Sequence, residues 1–240
     1  MTDIVAGIHA VRAALQAGRV TELHVAVGNR RVRELVDMAN AARIPVMDAD
    51  KQQLMIMAGT DRHQGIVAKA EAGGRVADLD ELVTRAENGD SLLLLVLDGV
   101  QDPHNLGACL RTADAAGVDA VIVPKDRSSP LTPAARKVAA GGAESVPFLS
   151  VTNLARTLER LREAGIWTVG LAGEAGQSLY ELDLRGPLAL ILGAEADGLR
   201  RLTRENCDFL AALPMAGQVE SLNVSVTAGV CLYEAVRQRA

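Results

Sequence analysis

The stretch Leu213-Pro-Met-Ala-Gly-Gln-Val-Glu-Ser-Leu-Asn-Val-Ser-Val-Thr-Ala228 joins a short apolar run, residues 209–213, to a helix-like run that continues to Arg239. Pro214 has no backbone N–H and ends any sheet ladder, while Gly217 permits the tight or left-handed turn that must follow. Ser221 and Asn223 are residue types that cap a helix start, where free N–H groups also favour electron-rich ligand atoms. The stretch reads as strand, turn and helix.

The same alternation repeats upstream. Residues 92–97 are continuously apolar, as in a strand buried on both faces. Helical spacing over 106–116 closes at Gly117; residues 120–123 form a strand, 133–140 a helix and 146–149 a short strand. Asn153 caps a helix over 154–164, with Gly165 just past its end. Strands over 166–171, 188–192 and 209–213 follow. This order predicts an α/β domain over 91–240, a parallel sheet covered by helices on both sides. Its ligand site belongs in the loops after the strands' carboxyl ends.

Ahead of it, residues 4–17 carry Ile8, Val11 and Leu15 at helical spacing, and 22–27 alternate as a strand. Residues 30–43 return to helical spacing, 44–47 read as a strand, 50–57 as a helix and 65–70 as a strand. This predicts a small αβα domain over 1–70, with an exposed basic cluster of Arg30, Arg31 and Arg33. Residues 71–90 are polar, contain Gly73-Gly74, and read as a linker with a short covering helix at 80–87.

Hydrophobic residues make up 49% and charged residues 23% of the 240, the balance of a soluble globular protein. Aromatics are only 2%, so the core must be aliphatic, and nucleic-acid binding through rows of stacked rings is disfavoured. The net charge of −5 is unevenly spread. Residues 1–70 carry 9 Lys/Arg against 7 Asp/Glu, 71–90 carry 2 against 6, and 91–240 carry 14 against 17. That is compatible with RNA binding through local patches. Cys109, Cys207 and Cys231 offer neither a disulfide framework nor a metal knuckle, which suits a reducing cytoplasm. No run approaches a membrane span, and the early Asp3 argues against a signal peptide. The four histidines lack ligand spacing, so no metal is expected.

Three loops after buried strands carry the chemistry-bearing residues. The first, Asp98-Gly-Val-Gln-Asp-Pro-His-Asn-Leu-Gly-Ala-Cys-Leu-Arg-Thr-Ala-Asp114, places Asn105 at the head of a helix and Arg111 in its second turn. The second, Leu192-Gly-Ala-Glu-Ala-Asp-Gly-Leu199, holds Glu195 between glycines. It lacks the central glycine of a dinucleotide loop, which disfavours a nicotinamide enzyme. The third is the opening stretch. Taken singly, Asn105 is also a plausible cap, Arg111 an exposed helix charge and Glu195 a turn residue.

Taken together, Asn105-x-Gly107-x-x-x-Arg111-Thr-Ala, Leu192-Gly-Ala-Glu195 and Leu213-Pro-Met…Ser221-Leu-Asn223-Val-Ser resemble the three motifs of the SpoU/TrmH family. These are RNA 2′-O-ribose methyltransferases of the SPOUT class. Residues 4–70, with Gly7-Ile-His-Ala-Val and His63-Gln-Gly-Ile, resemble the family's RNA-binding front domain, which is similar to the ribosomal-protein L30e fold. The runs at 98–108 and 121–127 resemble most the bacterial members that methylate a guanosine ribose in the peptidyl-transferase (P-site) loop of 23S ribosomal RNA.

The resemblance implies a trefoil knot in the C-terminal domain, S-adenosylmethionine as cofactor, and a homodimer. It also implies catalytic roles for Arg111, Asn105, Glu195 and Asn223, with backbone around Gly193, Leu213 and Leu222 gripping the cofactor. Positions 196–197 read Ala-Asp where relatives usually show Gly-Glu. Transfer-RNA methylation and a non-catalytic role in ribosome assembly are the alternatives. The front domain speaks against the first and the intact motif residues against the second.

Overall fold

A computed structural model describes residues 2–71, 78–194 and 198–240. The chain forms two sheets. The first contains β1 (Thr2–Ala6), β2 (Val20–Ala26), β3 (Val46–Ala49) and β4 (Ile66–Glu71), in the order β1-β4-β2-β3. β4 runs antiparallel to β1 and β2, and β3 pairs parallel to β2. α1 (Ile8–Gln16), α2 (Arg33–Ala41) and α3 (Lys51–Ala58) pack on it. Val11, Leu23, Leu35 and Ile66 meet in an aliphatic core. Asp50 starts α3 with a capping box: its carboxylate accepts from the Gln53 N–H, and the Gln53 side chain accepts from the Asp50 N–H.

The second sheet contains β5 (Leu93–Asp98), β6 (Ala120–Pro124), β7 (Phe148–Val151), β8 (Trp167–Leu171), β9 (Leu188–Gly193) and β10 (Phe209–Ala211). Their order is β10-β8-β9-β5-β6-β7, every neighbouring pair parallel. The helices are α4 (Leu79–Glu87), α5 (Pro103–Ala115), α6 (Pro133–Ala139), α7 (Gly142–Ser145), α8 (Leu154–Glu163), α9 (Arg201–Glu205) and α10 (Val224–Arg239).

Alternation along the two central strands divides the core. Leu93, Leu95, Leu97, Leu190 and Leu192 face the layer that includes α5 and α10, while Leu94, Val96, Ala189 and Ile191 face the one that includes α4 and α8. Each of these buried Leu, Val and Ile side chains contributes about 1.5–3 kcal/mol of transfer free energy. That makes the continuous apolar pattern of β5 and β9 the reason they lie at the centre.

Two arginines tie the margins down. Arg85 on α4 binds Asp90 and Asp119, both at 2.8 Å, and Asp119 accepts the Leu93 N–H, pinning α4 to the start of β5. Arg239 donates to the carbonyls of Leu184, Gly186, Ser91 and Leu92. Phe148 packs against the core from β7, and the other aromatic residues are exposed. Trp167 is 53% exposed and lies 5.5 Å, ring to ring, from Phe209, which is 38% exposed.

The structure corrects several expected boundaries. The helical reading of 4–17 merges two elements. Residues 2–6 are a strand because β4 supplies an antiparallel partner, and Gly7, at φ +97°, turns the chain into α1. β3 and β7 begin two residues later than predicted, each at an outer position of its sheet, where one neighbour is missing and the apolar pattern is weakest. α7 and α9, of 4 and 5 residues, are too short to show a 3.6-residue period. Gly73-Gly74 and the Ala196-Asp197 departure lie outside the described residues.

The two sheets meet through α1 and α7. Gly141 sits at φ +111°, and a β-carbon there would stand 3.3 Å from the His9 carbonyl oxygen and 3.4 Å from the Ala13 methyl group. The neighbouring Gly142 lies against the backbone of Leu110 and Arg111 on α5.

Candidate functional site

Three parallel strands release their chain ends into one cleft of about 400 Å³. Its walls come from Leu171–Glu174 after β8, from 192–194 and 198–199 around the β9 loop, and from 211–213, Met215 and 220–222 after β10. Gly193, Leu213 and Leu222, predicted to surround a cofactor, all line it. Gly193 has to be glycine: a β-carbon would lie 2.1 Å from the Gly198 carbonyl carbon. Ala194 and Gly198 exchange backbone hydrogen bonds of 3.2 and 2.9 Å, closing the loop on either side of positions 195–197. Glu195 lies outside the described residues.

The predicted polar residues come from helix starts. α5 begins one turn earlier than expected, because Pro103 suits the first helical position and Asp102 accepts the His104 N–H at 2.9 Å. Asn105 is therefore inside the first turn, and the cap is Asp102. Arg111 lies in the third turn rather than the second, exposed, without an ion pair to any other described residue.

Asn223 does cap α10: its Oδ1 accepts from the Ser225 N–H at 2.9 Å and the Ser225 hydroxyl at 2.6 Å. Ser221, the other predicted cap, lines the cleft instead. The Asn223 Nδ2 donates to the Asn105 Oδ1 at 3.0 Å, joining residues 118 positions apart. Leu222, Val224 and Thr227 border the cleft while Asn105, Arg111 and Asn223 do not line it, so the amide pair lies beside the cleft through the chain neighbours of Asn223. α5 is held in place by backbone packing on α6: a β-carbon at Gly107 would lie 2.4 Å from the Ala135 carbonyl oxygen.

Several residues that sequence reasoning missed belong to this region. On the rim, Arg204 donates to Glu174 and keeps its carboxyl below the usual range. Asp98, buried at the end of β5, binds Arg200 just beyond the β9 loop. A carboxylate closing a wholly apolar run was the available signal for Asp98. Nothing in the chain order links Glu174 to Arg204. Burial pushes the thiols of Cys207 and Cys231 up to about 12, so neither is a nucleophile near neutral pH.

A second groove, about 440 Å³, lies at the opposite, amino ends of the strands. Arg85, Asp114, Asp119 and Ser145 line it, and none of the predicted site residues borders it. Arg31 and Arg33 are exposed where α2 begins.

Residues 92–233 match the SpoU rRNA Methylase family, and residues 4–73 match the RNA 2′-O ribose methyltransferase substrate-binding family. The chain belongs to the SpoU rRNA methylase family. A SpoU relative in Ralstonia nicotianae, named 23S rRNA (guanosine-2′-O-)-methyltransferase RlmB, is 55% identical over 243 residues, spanning 100% of this chain and 97% of its own. The protein of that name in Pseudomonas aeruginosa is 56% identical over 239 residues, spanning 97% of this chain and 95% of its own. Among solved structures, the SpoU methyltransferase AviRb from Streptomyces viridochromogenes in complex with the cofactor AdoMet superposes with a TM-score of 0.82 at 28% identity, covering 99% of this chain and 90% of that one.

Proposed function

We propose that this SpoU-family chain uses S-adenosylmethionine to methylate the ribose 2′-oxygen of a guanosine in 23S ribosomal RNA, at the peptidyl-transferase loop. The observation that carries the reading is identity of 55–56% over essentially the whole chain to proteins named for that reaction. The cleft fits the cofactor. It has the size of a small-molecule site, apolar walls at Leu192, Leu213 and Leu222, and charged and hydroxyl groups at its rim. When bound, S-adenosylmethionine supplies an electrophilic methyl group.

The chain's own residues then have to bring a ribose hydroxyl to the cleft lip, keep water away and accept the negative charge that grows on its oxygen as the proton leaves. Arg111 is the charge partner in this proposal. A guanidinium, with a pKa above about 12, is a poor base but a good fork for a phosphate or a developing alkoxide. The Asn105–Asn223 pair, with Glu195, orients the ribose. Residues 91–240 carry this chemistry. Residues 1–70 hold the RNA, with Arg30, Arg31 and Arg33 as phosphate contacts that give affinity rather than sequence choice. Residues 71–90 join the two.

The family's homodimer and trefoil threading belong to the same reading. Support for the dimer comes from Val226 and Tyr233, which leave α10 with an exposed apolar face. A cytoplasmic location follows from the substrate, and among the described residues no helix is long and apolar enough to cross a membrane. The test is to map ribose methylation across ribosomal RNA in cells with and without the gene. Loss of one guanosine methylation in 23S RNA is the expected result. An unchanged 23S map, or a lost mark on transfer RNA, would refute the assignment.

A further inference from the structure

Asp98 is the one fully buried carboxylate among the described residues that stands beside the cofactor cleft, and the reaction as outlined gives it no part. Its side chain is 0% exposed. It ends β5, and in the parallel register its partner on β9 is Gly193, where the cleft loop leaves the sheet. Its Oδ2 accepts the Arg200 backbone N–H at 3.0 Å, where the same loop returns. Its Oδ1 accepts the Arg200 Nε at 2.5 Å and pairs with Nη2 as well. Both feet of the 193–200 loop therefore rest on one residue.

We infer that Asp98 and Arg200 are positioning residues, a clamp that holds Gly193–Ala194 and Gly198–Leu199, the described wall on either side, in the shape that receives the methyl donor. The inference rests on the proposed use of S-adenosylmethionine. Asp98 is fully buried while the Arg200 side chain stays 39% exposed, so the pair is a poor device for stability: desolvating the carboxylate offsets much of the attraction, and solvent screens the rest. Its geometric selectivity is another matter. A carboxylate engaged by one backbone N–H and one guanidinium fork fixes both distance and direction. A binding wall ordered in advance spares the ligand the entropy of ordering it. Gly193, Ala194, Gly198 and Leu199 all border the cleft, so slack at Arg200 is transmitted to the ligand's own surface.

The test compares the wild-type chain, Arg200→Lys, and the paired Asp98→Asn/Arg200→Gln variant, which leaves no uncompensated buried charge. Calorimetry gives the S-adenosylmethionine Kd, steady-state kinetics give KM for each substrate, and amide exchange reports on 193–200. The paired variant is expected to keep its circular dichroism, weaken cofactor binding about tenfold and exchange faster at the loop, with KM for RNA unchanged. Arg200→Lys falls between, keeping the charge but losing the fork. A folded paired variant with wild-type cofactor affinity overturns the inference, and so does one whose loss lies in KM for RNA alone. If the wild-type chain itself binds no S-adenosylmethionine, the proposed function fails. Loop exchange then decides the clamp alone: faster exchange supports it and unchanged exchange refutes it.

Discussion

Asn223 does two jobs with one amide. Its oxygen caps α10 and its nitrogen reaches Asn105. The jobs separate by substitution. Asn223→Ser keeps a good cap but is too short to reach Asn105, so the melting temperature should stay near wild type while the methylation rate falls. Asn223→Ala should lose both, with a stability loss of about 1 kcal/mol, read by thermal unfolding beside initial rates. For Arg111 the informative change is lysine, which keeps the charge and loses the planar fork. Arg111→Lys should lower turnover by about 10²-fold or more at saturating substrates, and near-normal turnover would exclude the fork as essential. At this scale the sequence was legible through the three motifs taken together, since singly each residue also reads as a cap, a surface charge or a turn residue. Asn105, Arg111 and Asn223 stood out, and Asn223 was recognisable as a cap. For Asp98 the only local signal was a carboxylate closing an apolar run, and its role was not legible because its partner lies 102 positions away.

Helices and strands were legible in proportion to how much of their environment is local. β5 and β9 announce themselves because burial on both faces demands an unbroken apolar run. β1 does not, since its strand identity comes from β4, more than sixty residues on. The end of α10 shows what local pattern does supply. Glu234 accepts from Arg237 at i+3 and Gln238 at i+4, and the Arg237 fork followed by the Gln238 amide brings its carboxyl down to about 2. A folded-state pKa below the unfolded one stabilises the fold above the ordinary carboxylate range, and that contribution is lost as pH falls toward 2. Between those limits the melting temperature of the wild type should drop more steeply than that of Glu234→Gln, in parallel pH scans. Equal slopes would mean the pair adds nothing to the fold.

Across the whole molecule the decisive contact is the seam between α1 and α7. It links the amino-terminal sheet, through Gly141 and Gly142, to the backbone of the helix that carries Arg111. No composition or periodicity could display it, because it depends on one glycine meeting a helix some 130 residues earlier. A charged side chain on the α1 side tests what the seam does. Ala13→Glu should leave cofactor affinity unchanged and lower kcat/KM for RNA by about tenfold, since RNA held by the front part would reach the cleft only through a loose tether. Unchanged kinetics would show that the two parts work without docking.

The placement of the indole and the phenol rings at the margins has a practical result for anyone who follows the protein by light. The single indole, Trp167, is already more than half in water when the protein is folded, and both tyrosines are exposed as well. Its emission will shift little on denaturation. A spectral change on adding a ligand will instead report the margin where β8 and β10 lie side by side, which makes it a local probe of those two strands.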